Sequence, residues 1–243
     1  MADDALPDLT AYEAVLFDLD GVLTPTAEVH MHAWQTMFEE LFAAWGITPP
    51  YTERDYFDHL DGKKRYDGVA SLLRSRDVEV PWGHPSDPVT ADTVCGIGNR
   101  KNAVFERVLR AEGIAPYPGS LRLLDVLAAA GTPVAVVSSS KNAEEVLAAA
   151  GIRDRFAVVM DGVIAERDHL ASKPAPDVFV EAARMLGVEP SQSAAVEDAI
   201  SGVQSAAAGG FGLVVGVDRG AGEEDLVEAG AHVVVKDLEE FAR

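Results

Sequence analysis

Cysteine occurs once in this chain of 243 residues, at Cys95, and a single thiol excludes an internal disulfide framework. A buried, inert thiol is the expectation for it. Basic residues are half as numerous as acidic ones, 20 against 40, and the resulting net charge of −20 repels nucleic acid and anionic membranes at long range. An anionic substrate would therefore have to be drawn in by a local cluster of cations. No apolar stretch approaches the length of a membrane span. The segment from Met1 to Pro7 has neither a basic region nor an apolar run, so no secretory signal is expected, and the reading is a soluble cytoplasmic protein.

Short apolar runs are present, and from Pro118 onward they alternate with helical spacing, the pattern of a parallel sheet flanked by helices. Strands are expected at Ala14 to Phe17, Pro133 to Val137, Ala194 to Val196, Leu213 to Val215 and His232 to Val235. Helices are expected at Asn142 to Ala150, Pro176 to Leu186, Ser201 to Ala208 and Glu223 to Ala229. These elements predict a doubly wound, Rossmann-like α/β core. Residues 27–102 differ, with helical patterns at His32 to Phe42 and Tyr66 to Arg74 but no buried strand. That segment reads as a helical cap inserted into a core made of residues 1–26 and 103–243. The turn-rich loop Val80 to Pro88 would join two cap helices. Such a cap would cover the carboxyl edge of the sheet, where open α/β sheets bind ligands.

Four polar clusters fall at that edge. The first strand runs into Asp18-Leu19-Asp20-Gly21, two carboxylates one residue apart with a glycine that lets the chain turn away. Carboxylates converging there repel unless a cation lies between them, which suits a hard divalent ion. A plain turn capping a strand is the alternative. Ser138-Ser139-Ser140-Lys141-Asn142 stands where a strand gives way to a helix, and its serines could bind an anion or simply cap the helix. A lone surface lysine is ordinarily solvated, but Lys173, ahead of a proline-started helix, is pinned by Pro174 and Pro176 and has restricted freedom. Glu197-Asp198 ends another strand, and acidic residues there also suit a helix start. Each cluster has a structural explanation alone, but all four at one edge favour a site.

In this order and composition the motifs resemble the haloacid dehalogenase superfamily of phosphotransferases, and residues 27–102 are similar to its type-one helical cap. The resemblance implies an aspartyl-phosphate enzyme. Asp18 would be the nucleophile, Asp20 the general acid/base, and Ser138 and Lys173 donors to the phosphoryl oxygens. It also implies Mg²⁺ held by Asp18, the backbone carbonyl of Asp20, and Asp198, with Glu197 in or beside that set.

Within the superfamily, Thr26, His30 and Trp34 in their spacing resemble the β-phosphoglucomutase branch, as does the run Ser138 to Asn142 with Ser139 and Ser140. The branch implies that His30 sets the position and proton state of Asp20. It implies that Arg65, in Asp61-Gly62-Lys63-Lys64-Arg65, binds the non-reacting phosphate, and that Lys101 contacts the substrate. These basic clusters supply the local cations that so acidic a chain requires. Two positions depart from the pattern: Pro25 replaces a polar or acidic residue, and Asp61 stands where a lysine is common. The expected activity is conversion of β-glucose 1-phosphate to glucose 6-phosphate through the 1,6-bisphosphate, by a monomer acting on a small sugar phosphate. A sugar-phosphate phosphatase is the rival within the same chemistry, and a non-catalytic phosphosugar-binding protein or a dehalogenase lies outside it.

Overall fold

Six parallel strands form the centre of the computed structural model, which describes residues 6–242. They are β1 (Ala14–Phe17), β2 (Val134–Val137), β3 (Val158–Met160), β4 (Ser193–Glu197), β5 (Leu213–Val217) and β6 (Val233–Val235), in the spatial order β3-β2-β1-β4-β5-β6. The chain builds outward from β1 in one direction and then crosses to the other side. The strand order reverses at β1, and a crevice opens at the carboxyl end of such a switch point. Every residue of β1, β2 and β4 is buried, as a sheet covered on both faces requires.

Alternate strand residues feed two cores. Val15, Phe17, Val136, Val196 and Val215 face one side, while Leu16, Ala135, Val137, Ala195 and Val214 face the other. The helices are α1 (Thr26–Trp45), α2 (Glu53–Asp55), α3 (Arg65–Arg74), α4 (Val94–Glu112), α5 (Pro118–Ala130), α6 (Ala143–Ala149), α7 (Gly162–Arg167), α8 (Asp177–Leu186), α9 (Ile200–Ala208) and α10 (Glu223–Glu228). Helices α5 and α6 cover the first face, through Leu123, Leu127 and Val146. Helices α8 and α9 cover the second, through Val178, Phe179 and Val203. Among the described residues no helix is long and apolar enough to cross a membrane.

A third core lies in the helical insertion, where Trp34, Phe38, Phe42, Tyr51, Leu72, Cys95 and Ile97 pack together. Cys95 is buried there. Helix α4 threads two cores, with Ile97 in the insertion and Phe105 in the sheet's first core. The break between residues 102 and 103 expected from sequence falls inside this unbroken helix. Its start carries Gly96 and Gly98, poor helix formers whose absent side chains admit neighbours. A Cβ at Gly98 would lie 2.8 Å from the Tyr66 ring. Other elements escape the sequence reading, among them strand β3, helices α5 and α7, and a π turn at Tyr56–Leu60 closed by the Asp61 N–H donating to the Tyr56 carbonyl at 2.9 Å. The loop from Val80 to Pro88 lies between α3 and α4, without helix or strand.

Candidate active site

The end of β1 is held in register by the Asp18 N–H, which donates to the Val196 carbonyl at 2.9 Å. Past Asp18 the chain turns at Gly21, whose φ of 92° disfavours any side chain. Space forbids one as well, since a Cβ there would stand 1.8 Å from Asp198 Oδ2. The turn aims the Asp20 N–H at Asp18 Oδ2, 2.9 Å away, which fixes the carboxylate from one side. Lys173 fixes it from the other. Its Nζ is fully buried and donates to Asp18 Oδ1 at 2.8 Å, Glu197 Oε1 at 2.5 Å and the Val137 carbonyl at 3.1 Å.

Asp18, Glu197 and Asp198 each bring a carboxylate oxygen within 4.8 Å of the others, and all three residues are buried. Hard oxygen donors at this spacing fit a divalent cation. Glu197 is already well occupied, because its Oε2 accepts from the backbone N–H groups of Asp198 and Ala199 at 3.0 and 3.1 Å. Charge counting explains the electrostatics. Burial opposes the Lys173 charge, but Asp18 and Glu197 outweigh it and hold the ammonium above its usual range. One ammonium does not satisfy three carboxylates. Burial, reinforced by neighbouring carboxylates, pushes Asp18 and Asp198 well above the ordinary carboxylate range.

Asp20 points elsewhere. Its Oδ1 accepts from Thr26 Oγ1 and lies 3.5 Å from His30 Nε2, while its Oδ2 accepts from Ser138 Oγ at 3.4 Å. Burial favours its neutral form, but His30 and Thr26 together hold it below the usual range. His30 stacks on Phe105, with centroids 4.1 Å apart, and its Nδ1 meets Lys101 Nζ. Burial first, and then mutual repulsion among Lys101, His30 and Arg65, lowers the proton affinity of both Lys101 and His30. The Lys101 ammonium also lies 5.0 Å from the Trp34 ring centre.

The cleft between sheet and insertion is lined by Asp18, Asp20, His30, Trp34, Gly62, Arg65, Lys101, Ser139, Ser140, Glu197 and Asp198. Its empty space is about 620 Å³, open solvent included. Ser138, Lys173, Thr26 and Asn142 lie behind this lining and hold it. Ser138 Oγ accepts from the Ser140 N–H at 3.0 Å, and Ser139 Oγ donates to the Gly62 carbonyl at 2.7 Å, tying the insertion to the sheet. Arg65 donates to Asn102 Oδ1 at 2.6 Å, and the same oxygen accepts from Asn142 Nδ2 at 2.8 Å. Asn102 thereby links insertion and sheet, a role that local spacing in the sequence does not mark.

Asp61 and Tyr56 also line the cleft, and the π turn that brings Tyr56 in left no pattern in the sequence. Burial, and next the Glu197 charge, pushes Asp61 up to about 7. Neither neighbouring lysine replaces the cation missing there. Lys63 Nζ donates to the Asp58 carbonyl at 3.1 Å, and Lys64 Nζ donates to the Leu170 carbonyl.

A buried carboxylate trio thus stands under helices at the switch point of a parallel α/β sheet. The family model for haloacid dehalogenase-like hydrolases matches residues 12–210, and the chain belongs to that family. It is 48% identical to a beta-phosphoglucomutase of Mycobacterium tuberculosis, over 94% of this chain and 90% of the relative. Identity to a Bacillus subtilis beta-phosphoglucomutase is 32%, over 86% of this chain and 84% of that one. The fold is similar to a Clostridium difficile beta-phosphoglucomutase crystal structure at a TM-score of 0.75 and 24% identity, with 94% of this chain and 92% of that chain covered. It is similar to Rhodobacter sphaeroides CbbY in complex with xylulose 1,5-bisphosphate at a TM-score of 0.72 and 27% identity, with 94% and 96% covered.

Proposed function

We propose that this chain transfers phosphoryl groups on sugar phosphates, interconverting β-glucose 1-phosphate and glucose 6-phosphate through the 1,6-bisphosphate. The observation that carries the reading is one cleft lined both by Asp18 and Asp20 and by Arg65 and Lys101. A reacting phosphate needs the first pair, and a second, non-reacting phosphate needs the cations.

Asp18 attacks phosphorus and becomes an aspartyl-phosphate as the bond from phosphorus to the sugar oxygen breaks. Asp20 in its acid form gives its proton to that departing oxygen. The 6-hydroxyl of the next β-glucose 1-phosphate then attacks the aspartyl-phosphate, the bond from phosphorus to Asp18 breaks as the 1,6-bisphosphate forms, and the hydroxyl proton passes to the Asp20 carboxylate, which His30 and Thr26 hold ready in the ionised form. Ser138 and Lys173 donate to the phosphoryl oxygens as charge spreads over them. Asp18, Asp198 and the backbone carbonyl of Asp20, with Glu197 beside them, would hold Mg²⁺, which would supply the charge that lets one anion approach another. Residues 27–102 act as a cap that excludes water while the bisphosphate reorients.

Three experiments test this. Incubation with β-glucose 1-phosphate and a trace of the bisphosphate yields glucose 6-phosphate, whereas release of inorganic phosphate at the rate of sugar consumption identifies a phosphatase. Arg65→Ala lowers kcat/KM for the sugar phosphate by about 10- to 100-fold, chiefly through KM, because a charge-assisted bond to phosphate is lost. Asp61 favours the phosphatase reading over the mutase, because a carboxyl in the cap loop opposes a second phosphate. Stripping divalent ions with a chelator abolishes turnover and added Mg²⁺ restores it, as steady-state assays on the same sample would show.

A further inference from the structure

Arg219, just past β5, stands 198 positions from the Gly21 turn and grips it. Its Nε donates to the Gly21 carbonyl at 2.9 Å and its Nη1 to the Lys236 carbonyl at 3.1 Å. The guanidinium lies 4.0 Å over the Tyr117 ring. The loop that carries it is itself pinned, since Asp218 Oδ1 accepts from the N–H groups of Gly220 and Gly222 at 2.9 and 3.1 Å. Both peptide groups flanking the Gly21 Cα are thereby fixed, because the Gly21 N–H donates to the Thr24 carbonyl at 2.8 Å.

That turn touches two members of the carboxylate trio. Asp198 Oδ2 occupies the space a Gly21 side chain would fill, and the Asp20 N–H holds Asp18 Oδ2. Glycine has the widest backbone freedom of any residue, so a turn built on it keeps its shape only through outside bonds. We infer that Arg219 is a positioning residue that clamps the Gly21 turn and so sets the spacing of Asp18 and Asp198 for a divalent cation. The inference rests on the metal-dependent reading above. A planar fork bonded to two carbonyls and stacked on a ring does what a lysine ammonium cannot reproduce.

Direct Mn²⁺ titration, followed by the electron paramagnetic resonance of the free ion, tests this without turnover. Arg219→Lys keeps the charge, so a change in affinity there reports geometry alone. We expect the Mn²⁺ Kd to rise about tenfold in Arg219→Met, the low end of the effect of removing groups that orient metal ligands, and about threefold in Arg219→Lys, which keeps the charge. In steady state the half-saturating Mg²⁺ rises with it, while KM for the sugar phosphate at saturating Mg²⁺ stays put, a split that general loosening would not produce. If Arg219→Met fails to fold, Arg219→Lys decides. An unchanged Mn²⁺ Kd in a folded variant overturns the clamp alone. A wild-type protein that binds no Mn²⁺ overturns the clamp and the metal site together.

Discussion

Asp18→Asn abolishes turnover, by at least about 10⁴-fold, because the amide oxygen is too weak a nucleophile to open an acyl-phosphate route. The fold survives the change. Asp18 is buried, and its carboxyl keeps a proton to higher pH in the native state than in the unfolded chain. The native state therefore binds more protons across that interval, and stability falls as pH rises above about 3.9, the unfolded carboxyl's value. An amide of the same shape carries no such charge. In metal-free protein near neutral pH, the melting temperature of Asp18→Asn is expected to match or exceed that of the wild type. Intact mass spectrometry after exposure to a phosphoryl donor gives the second readout, with a phosphoryl increment in the wild type and none in the variant. Residual phosphorylation of Asp18→Asn would move the nucleophile elsewhere.

Lys173→Met is expected to fail on both counts, activity and stability. Its ammonium is the cation in direct contact with both Asp18 and Glu197, with fully buried atoms on the lysine and glutamate side. Removing one partner of a buried pair leaves the other charges uncompensated, at a cost of about 3–5 kcal/mol. For a chain of this size that lowers the melting temperature by roughly 6–20 °C. Turnover falls by about 10²–10³-fold, the loss seen when a donor to developing transition-state charge is removed. Calorimetry with and without Mg²⁺ separates the two effects. Added Mg²⁺ stabilises the variant more than the wild type, because the ion supplies charge that the lysine no longer provides. A variant as stable as the wild type would mean that the carboxylates are satisfied by other groups.

The polar carboxyl edge of the sheet was legible in sequence because Asp18, Ser138 and Glu197-Asp198 each stand where an apolar run ends. Asp18, Ser138 and Glu197-Asp198 all follow buried strands, and parallel strands deliver their carboxyl ends to one side. Strand β3 was missed because Val158–Met160 is too short to show a period. The start of α4 was missed because Gly96 and Gly98 weaken a helical pattern for the sake of close packing against Ala91 and Tyr66. Asn102 and Arg219 were not singled out as site residues for another reason. Their bonds to Arg65 and to the Gly21 carbonyl join positions far apart along the chain, and local spacing carries no trace of such pairs. Likewise, the engagement of Lys63 and Lys64 with carbonyls became visible only once the π turn had set the direction of that loop.

Helix α4 continues unbroken from the insertion's core to that of the sheet, with Lys101 and Asn102 midway between Ile97 and Phe105. It serves as a shared beam, so residues 27–102 are not a detachable module. A chimera that exchanged residues 27–102 with a relative would splice in the middle of a helical turn and pair a foreign Lys101 position with the native Phe105 under His30. An exchange that carries the whole of α1 and α4 moves the His30 stack and its supporting lysine as one piece, and it leaves the catalytic edge of the sheet in its original hands.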